Sequence, residues 1–145
     1  MPTGAPPVLA QLNLVVADMA ASVAFYRLLG LTIDDTHPYA AHHIDVRMPG
    51  GFSLELDSVA FAKRWDAGWG GAPGTARNVI GFNLPSRRAV DDLFAKLTAA
   101  GHTGQQAPYD AFWGARYAVV EDPDDNPVGL MSPIEPGRKS TPPQM

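Results

Sequence analysis

Two stretches of the chain carry the same order of hydrophobic and polar patterns. The first begins with a β-rich apolar run over residues 9–16. It continues into a helical stripe, whose members recur three and four residues apart: Ser22, Phe25, Tyr26 and Leu29. The change of period predicts a strand followed by a helix that packs one face on a sheet.

The residues that flank this stripe predict where the helix begins and ends. Asp18 is suited to cap the first turn, and Gly30 supplies the left-handed residue at which many helices stop. We therefore expect a helix over Met19–Leu29. Strand patterns follow at residues 31–35, 42–48 and 52–57, with a hairpin turn at Pro49-Gly50-Gly51.

The second stretch repeats this order. A strand is predicted over residues 78–84 and a helix over residues 87–100, capped by Ser86 and ended by Gly101. An offset of 68 residues superposes the two stripes, so that Val90, Leu93, Phe94 and Leu97 correspond to the first four positions. Further strands are predicted at residues 103–107, 115–121 and 128–132. Two copies of strand, helix and three strands indicate an internal duplication.

Composition sets the domain organisation. A chain of 145 residues is long enough for a single core shared by two modules, which we assign to residues 8–59 and 78–133. The linker, residues 60–77, is rich in glycine and tryptophan. Residues 1–7 and 134–145 are rich in proline and poor in apolar side chains, so we expect both ends to be loose.

Charge and cysteine content exclude several functions. The chain has no cysteine, which rules out disulfides and thiolate chemistry and fits a reducing compartment such as the cytoplasm. A net charge of −4 without a basic stretch argues against nucleic acid as a partner. The first residues do not have the pattern of a secretory signal, and no apolar run reaches membrane-spanning length, so no membrane partner is expected.

Two segments resemble a known family. VADMAASVAFYRLLGL resembles the first-helix signature of the vicinal oxygen chelate superfamily, and FWGARYAVVEDPDDNPVGL is similar to its closing hairpin. Asp125 stands in that turn where the family commonly has glycine. The resemblance implies an α+β fold: two βαβββ modules that form a curved mixed sheet around a cavity, usually in a homodimer.

The resemblance also implies four positions that hold a divalent metal in the enzymes of this family. They fall on Gln11, Glu55, Val79 and Gly129. Two of these residues have no donor atom in the side chain, so we expect no stoichiometric metal and no other cofactor. A non-standard metal site is a weaker hypothesis, with Gln11, His43, Asp45 and Glu55 as its candidate ligands.

The same positions suggest a ligand site without a metal. Glu55 alternates with Leu54 and Leu56, which places it on the face opposite the core, and Gly129 reads as a vacated ligand position that leaves space. Aromatic residues in glycine-rich segments complete the predicted ligand-binding set: Trp65, Trp69, Phe112 and Trp113.

These features favour a protein similar to the metal-free, bleomycin-resistance-like members of the family. Such a protein sequesters a flat or aromatic small molecule, antibiotic resistance being one use, and has no catalytic residue. The alternative is a metal-dependent glyoxalase- or dioxygenase-type lyase or oxidoreductase that uses Glu55 with non-standard ligands. A third hypothesis makes Glu55 a general base without a metal.

Overall fold

The computed structural model describes residues 11–65 and 78–142, and the chain divides into two units, Met1–Ala72 and Pro73–Met145. The described elements of the first unit are β1 (Gln11–Val16), α1 (Met19–Leu29), β2 (His43–Arg47), β3 (Ser53–Ser58) and α2 (Val59–Trp65). Those of the second unit are β4 (Ile80–Asn83), α3 (Arg87–Ala99), β5 (Gly104–Asp110), β6 (Arg116–Glu121), β7 (Pro127–Met131) and a short 3-10 helix (Pro136–Arg138).

Both long helices begin where the caps predict. The Asp18 carboxylate accepts a hydrogen bond from the Ala21 amide at 3.1 Å, and the Ser86 hydroxyl accepts one from the Ala89 amide at 3.0 Å. Each bond satisfies a backbone donor that has no partner within the helix. Gly30, at φ 122°, accommodates the turn that ends α1.

The first sheet has the strand order β1-β3-β2, in which β3 pairs with β1 in parallel and with β2 antiparallel. Its apolar face carries Leu54, Leu56 and Ile44, all of which are buried. The stripe of α1 is buried as well: Ser22, Phe25, Tyr26 and Leu29. Burial of these side chains supplies the main driving force for folding this unit.

The predicted strand at residues 31–35 does not form. Arg27 Nη2 donates to the Ile33 carbonyl at 2.7 Å, and the Asp34 carboxylate accepts from both the amide and the hydroxyl of Thr36 at 2.9 and 2.6 Å. The Leu31 amide also donates to the Tyr26 carbonyl at 2.9 Å. Backbone groups of the segment are thus bonded locally, and the segment is not paired in a sheet.

The predicted linker begins with a helix. Residues 59–65 form α2, and the Ser58 hydroxyl accepts a hydrogen bond from the Phe61 amide at 3.0 Å. The sequence of α2, VAFAKRW, contains good helix formers and no glycine. The glycines of the linker begin at Gly68, outside the described residues.

The second sheet has the strand order β4-β7-β6-β5, with β4 parallel to β7 and the other pairs antiparallel. Val90 and Leu97 of α3 are fully buried, as are Ala118, Val120, Val128 and Leu130 of the strands. Two mixed sheets with helices confirm the α+β class. No helix among residues 11–65 and 78–142 is long and apolar enough to cross a membrane.

Part of the C-terminal segment contacts the loop before β6. The Glu135 amide donates to the Gly114 carbonyl at 3.0 Å, and the Ser140 amide donates to the Phe112 carbonyl at 2.9 Å. Gly114 has φ 94°, and a Cβ there would lie 2.5 Å from the Glu135 carbonyl oxygen. Glycine is therefore required at position 114, because any side chain would prevent this close approach. The two hydrogen bonds hold residues 135–140 against the loop.

The turn between β6 and β7 is organised by a buried carboxylate. Asp122 accepts hydrogen bonds from the Asp124 amide, the Asn126 amide and Asn126 Nδ2, each at 2.9 Å, and is only 3% exposed. Asp125, in the same turn, is exposed and has φ 63°, a conformation that aspartate and asparagine tolerate better than most residues.

We expect Asp122→Ala to lower the free energy of unfolding by about 2–3 kcal/mol, because it removes a buried charged acceptor from three partly buried donors. Asp125→Asn removes the same charge from the same turn and keeps the backbone preference, so its effect should be within about 0.5 kcal/mol. Urea denaturation of the two variants measures the difference. Equal effects would contradict the role of Asp122.

Candidate functional site

One face of the first sheet is polar. Its side chains come from alternate positions of three strands, which lie side by side because of the register: Gln11 and Asn13 of β1, His43 and Asp45 of β2, and Glu55 and Asp57 of β3. We call this set the polar face. It lies opposite Leu54 and Leu56, as the alternation predicts for Glu55.

Asn13 connects the two carboxylates of β3. Its Nδ2 donates to Glu55 Oε2 at 2.8 Å and to Asp57 Oδ2 at 2.9 Å. Gln11 Nε2 donates to Asn13 Oδ1 at 2.9 Å and to Glu55 Oε2 at 3.3 Å. One amide thus bridges two acidic groups, and Gln11 orients that amide.

His43 pairs with the buried carboxylate of the polar face. Its Nδ1 lies 2.6 Å from Asp57 Oδ1, and the side chains are 32% and 1% exposed, respectively. The imidazole also contacts the ring of Phe61 edge to face, with 5.5 Å between centroids. His43 is therefore held by a buried carboxylate on one side and an aromatic ring on the other.

Asp45 lies directly across from Glu55 but has other partners. It accepts a hydrogen bond from the Ser53 hydroxyl, and Arg47 Nε lies 4.0 Å from its other oxygen. Asp57 is the acidic residue that groups with His43 and Glu55. One possible ligand atom from each of these three residues lies within 4.8 Å of the other two. The structure thus assembles His43, Glu55 and Asp57 in place of the set with Asp45.

Asn13 and Asp57 were not among the predicted site residues. A signal for both exists in the sequence, since Asn13 follows Gln11 by two positions and Asp57 follows Glu55 by two. Side chains two apart on a strand share a face. Extending the alternation of each strand would have found them.

The second unit contains an aromatic cluster, formed by Tyr109, Phe112, Trp113 and Tyr117. The Trp113 ring lies 5.2 Å from Phe112, 5.5 Å from Tyr117 and 6.4 Å from Tyr109, all at steep angles. Such edge-to-face arrangements are favoured by the ring quadrupoles. Tyr109 and Phe112 are each 38% exposed, so the cluster forms part of the unit's surface.

The space beside Gly129 is filled. A Cβ at this position would lie 2.7 Å from the Tyr117 hydroxyl oxygen and 3.2 Å from Val79 Cγ1. The interpretation of Gly129 as open room for a ligand is therefore wrong, because the Tyr117 side chain occupies that volume. Partial burial, and then the neighbouring Tyr109, raise the pKa of the Tyr117 phenol.

The four metal positions implied by the family do not fit a metal in this chain. Gln11 and Glu55 offer oxygen donors, but the side chains of Val79 and Gly129 offer none. The second unit thus contributes no side-chain ligand from either of its two family positions.

The linker tryptophans fall at and beyond the end of the described range 11–65. Trp65 is the last residue of α2, and Trp69 lies outside the described residues. Their predicted contact with a ligand stays a prediction. Phe112 and Trp113, in contrast, are brought together in the aromatic cluster.

A family model for the glyoxalase/bleomycin resistance protein/dioxygenase superfamily matches residues 8–130. The chain belongs to this superfamily, as its two sequence segments suggested. None of the curated proteins matches the sequence.

Solved structures share the fold. A glyoxalase-related enzyme from Fulvimarina pelagi is similar with a TM-score of 0.74 and 22% identity, over 87% of this chain and 88% of that chain. A glyoxalase/bleomycin resistance protein/dioxygenase from Nocardioides has a TM-score of 0.69 and 25% identity, over 99% and 92%. TioX from Micromonospora sp. ML1 has a TM-score of 0.62 and 19% identity, over 87% and 98%.

We expect Gly129→Ala to lower the free energy of unfolding by about 1–3 kcal/mol, because the new methyl group overlaps the Tyr117 hydroxyl. In a Tyr117→Phe background the same change should cost less, since the overlapping oxygen is gone. Gly81→Ala, on the adjacent strand with nothing within 4 Å of its Cβ, is the matched control. A double-mutant cycle by urea denaturation tests the coupling, and additive effects would refute it.

Proposed function

We propose that this protein is a small-molecule-binding member of the superfamily that sequesters a flat, aromatic ligand on the aromatic cluster. The observation that carries the proposal is the group of four rings at the surface of the second unit, two of them more than a third exposed. Among the described residues we assign no catalytic group to this cluster.

The arrangement of the rings suits a planar ligand. Trp113 is half-buried and is contacted by three other rings, so its orientation is fixed before a ligand arrives. A fixed ring loses little conformational entropy on binding. A stacked aromatic contact adds about 1 kcal/mol to the free energy gained from buried area.

The description of the family supports the proposal that the aromatic cluster sequesters a small molecule. The superfamily includes bleomycin resistance proteins, and planar antibiotics are therefore the ligand class that we propose to examine first. A role in resistance is one specific form of this proposal, and binding without turnover is the general form.

The aromatic cluster can be tested through its own fluorescence. In a variant with Trp65 and Trp69 replaced by phenylalanine, Trp113 is the remaining tryptophan. We expect planar aromatic compounds to quench its emission, with the cation acriflavine and its neutral ring analogue acridine as first probes, followed by planar antibiotics. If no planar compound in such a panel quenches Trp113, the proposal is contradicted.

For a compound that binds, Trp113→Ala should weaken the affinity about tenfold or more, because it removes a stacking surface. Tyr39→Ala removes another exposed ring, in the first unit, and should leave the affinity unchanged. Calorimetric titration of the two variants gives the comparison. Equal affinities for the parent and Trp113→Ala would place the ligand elsewhere.

We also propose that the protein is a cytoplasmic homodimer. The absence of cysteine supports the location, and strand edges support the association: β1 and β2 border the first sheet, and β4 and β5 border the second. Such edges can pair with another chain. Sedimentation velocity at micromolar concentration should show twice the chain mass of 15.5 kDa, and a species of the chain mass alone would refute dimerisation.

A further inference from the structure

We propose that His43, Glu55 and Asp57 form a binding site for a divalent transition metal ion, contained within the first unit. One imidazole and two carboxylates offer ligand atoms that all lie within 4.8 Å of one another. Three protein ligands of these types, with positions left for water or a substrate, are typical of open metal sites with zinc and related ions. The proposal does not depend on the aromatic cluster.

Strand pairing fixes the three ligands before any metal arrives. His43 of β2 is the antiparallel partner of Asp57 of β3, and Glu55 precedes Asp57 by two positions on the same face. Because β3 is paired on both sides, the positions of its Cα atoms are restrained by two ladders. Sites that are built on strands hold their geometry better than sites on loops.

The charge balance of the site calls for a cation. Asp57 is 1% exposed, and the Asn13 amide donates hydrogen bonds to both Asp57 and Glu55. Within residues 11–65 and 78–142, no lysine or arginine forms an ion pair with Glu55 or Asp57. Arg47, on the same face, lies beside Asp45 and is 81% exposed. His43, when protonated, pairs with one oxygen of the buried Asp57 and with neither oxygen of Glu55, whereas a divalent ion supplies a compensating charge for both acidic groups at once.

The hydrogen bonds around the site orient the atoms that would bind the metal ion. Asn13 engages Oε2 of Glu55 and Oδ2 of Asp57, so it orients both carboxylates from one side. The other Asp57 oxygen, Oδ1, faces His43 Nδ1 at 2.6 Å. At that separation a proton lies between the two atoms. A metal ion that binds both of them displaces this proton, and the neutral ring then carries its proton on Nε2. Outer hydrogen bonds such as those of Asn13 commonly tune metal affinity.

This site differs from the four-position set of the family. That set requires ligands from both modules, and two of its positions here are Val79 and Gly129. The proposed site shares Glu55 with that set and takes its two other ligands from the first unit. The expectation of no stoichiometric metal considered the family positions, and it did not include Asp57.

The test is metal binding by the full chain after removal of bound metal with a chelator. Calorimetric titration with Zn²⁺ and visible spectroscopy with Co²⁺ should both show one ion per chain. Glu55→Gln and His43→Gln should each weaken binding about tenfold or more. Asp45→Asn is the matched control, since it removes a carboxylate from the same face and should change the affinity less than about twofold.

Asp57→Asn provides a further arm with its own control for folding. Because Asp57 is buried, circular dichroism must first show that this variant is folded. If it is not folded, the Glu55→Gln variant is used for the test, since Glu55 is only half-buried. Zn²⁺ should raise the melting temperature of the parent, by mass action on the folded state, and should raise that of Glu55→Gln much less.

Three outcomes would overturn the proposal. One is substoichiometric binding of both ions by the parent protein. Another is equal loss of affinity in Asp45→Asn and Glu55→Gln, which would indicate general attraction by surface charge. The third is full affinity in His43→Gln and Glu55→Gln, which would place the ion elsewhere.

Discussion

The pairing of β3 on both of its edges is the constraint on which the first unit depends. β1 lies parallel to it and β2 antiparallel, so each of residues 53–57 has a fixed neighbour on each side. Alternation then puts Leu54 and Leu56 into the core and, by the same register, Glu55 and Asp57 onto the polar face. A shift of one residue would turn the carboxylates toward the apolar core and the leucines onto the polar face. Core packing therefore specifies the polar face as strictly as it specifies the core.

The second unit obeys the same constraint with different side chains. β7 is paired by β4 and β6, and Gly129 lies between Gly81 and Val119. Tyr117, two positions before Val119, is the diagonal neighbour of Gly129, and its side chain covers the glycine. The position that corresponds to a carboxylate in the first unit is thus covered by an aromatic side chain. The two copies share the order of three strands, to which the second unit adds β5, and they differ in chemistry, one charged and one aromatic.

Membership in the superfamily determines the fold and leaves the chemistry open. The family positions for a metal retain two donors of four, yet strand register supplies another set, in which His43 and Asp57 lie outside those four positions. Function in such a chain has to be argued from the side chains that meet on each sheet face. For this protein we propose a surface for a planar ligand in one unit and a cation site in the other.

The sequence by itself determined the features that depend on short-range interactions. Both helix starts follow from Asp18 and Ser86, whose side chains bond to amides three residues on. The buried stripe of α1 and the class of fold follow from periodicity and duplication. In contrast, residues 31–35 have a strand-like composition, but the Leu31 amide and the Ile33 carbonyl bond to Tyr26 and Arg27 nearby in the chain, and no strand forms.

Tertiary structure decided which side chains meet. His43 pairs with Asp57 because of the register between two strands. Tyr117 fills the space at Gly129 because of the register between strands and the volume that remains between packed side chains. The Pro49-Gly50-Gly51 turn permits several registers. The buried leucines of β3 select one of them, because the folded chain gains most free energy when its apolar side chains leave water together.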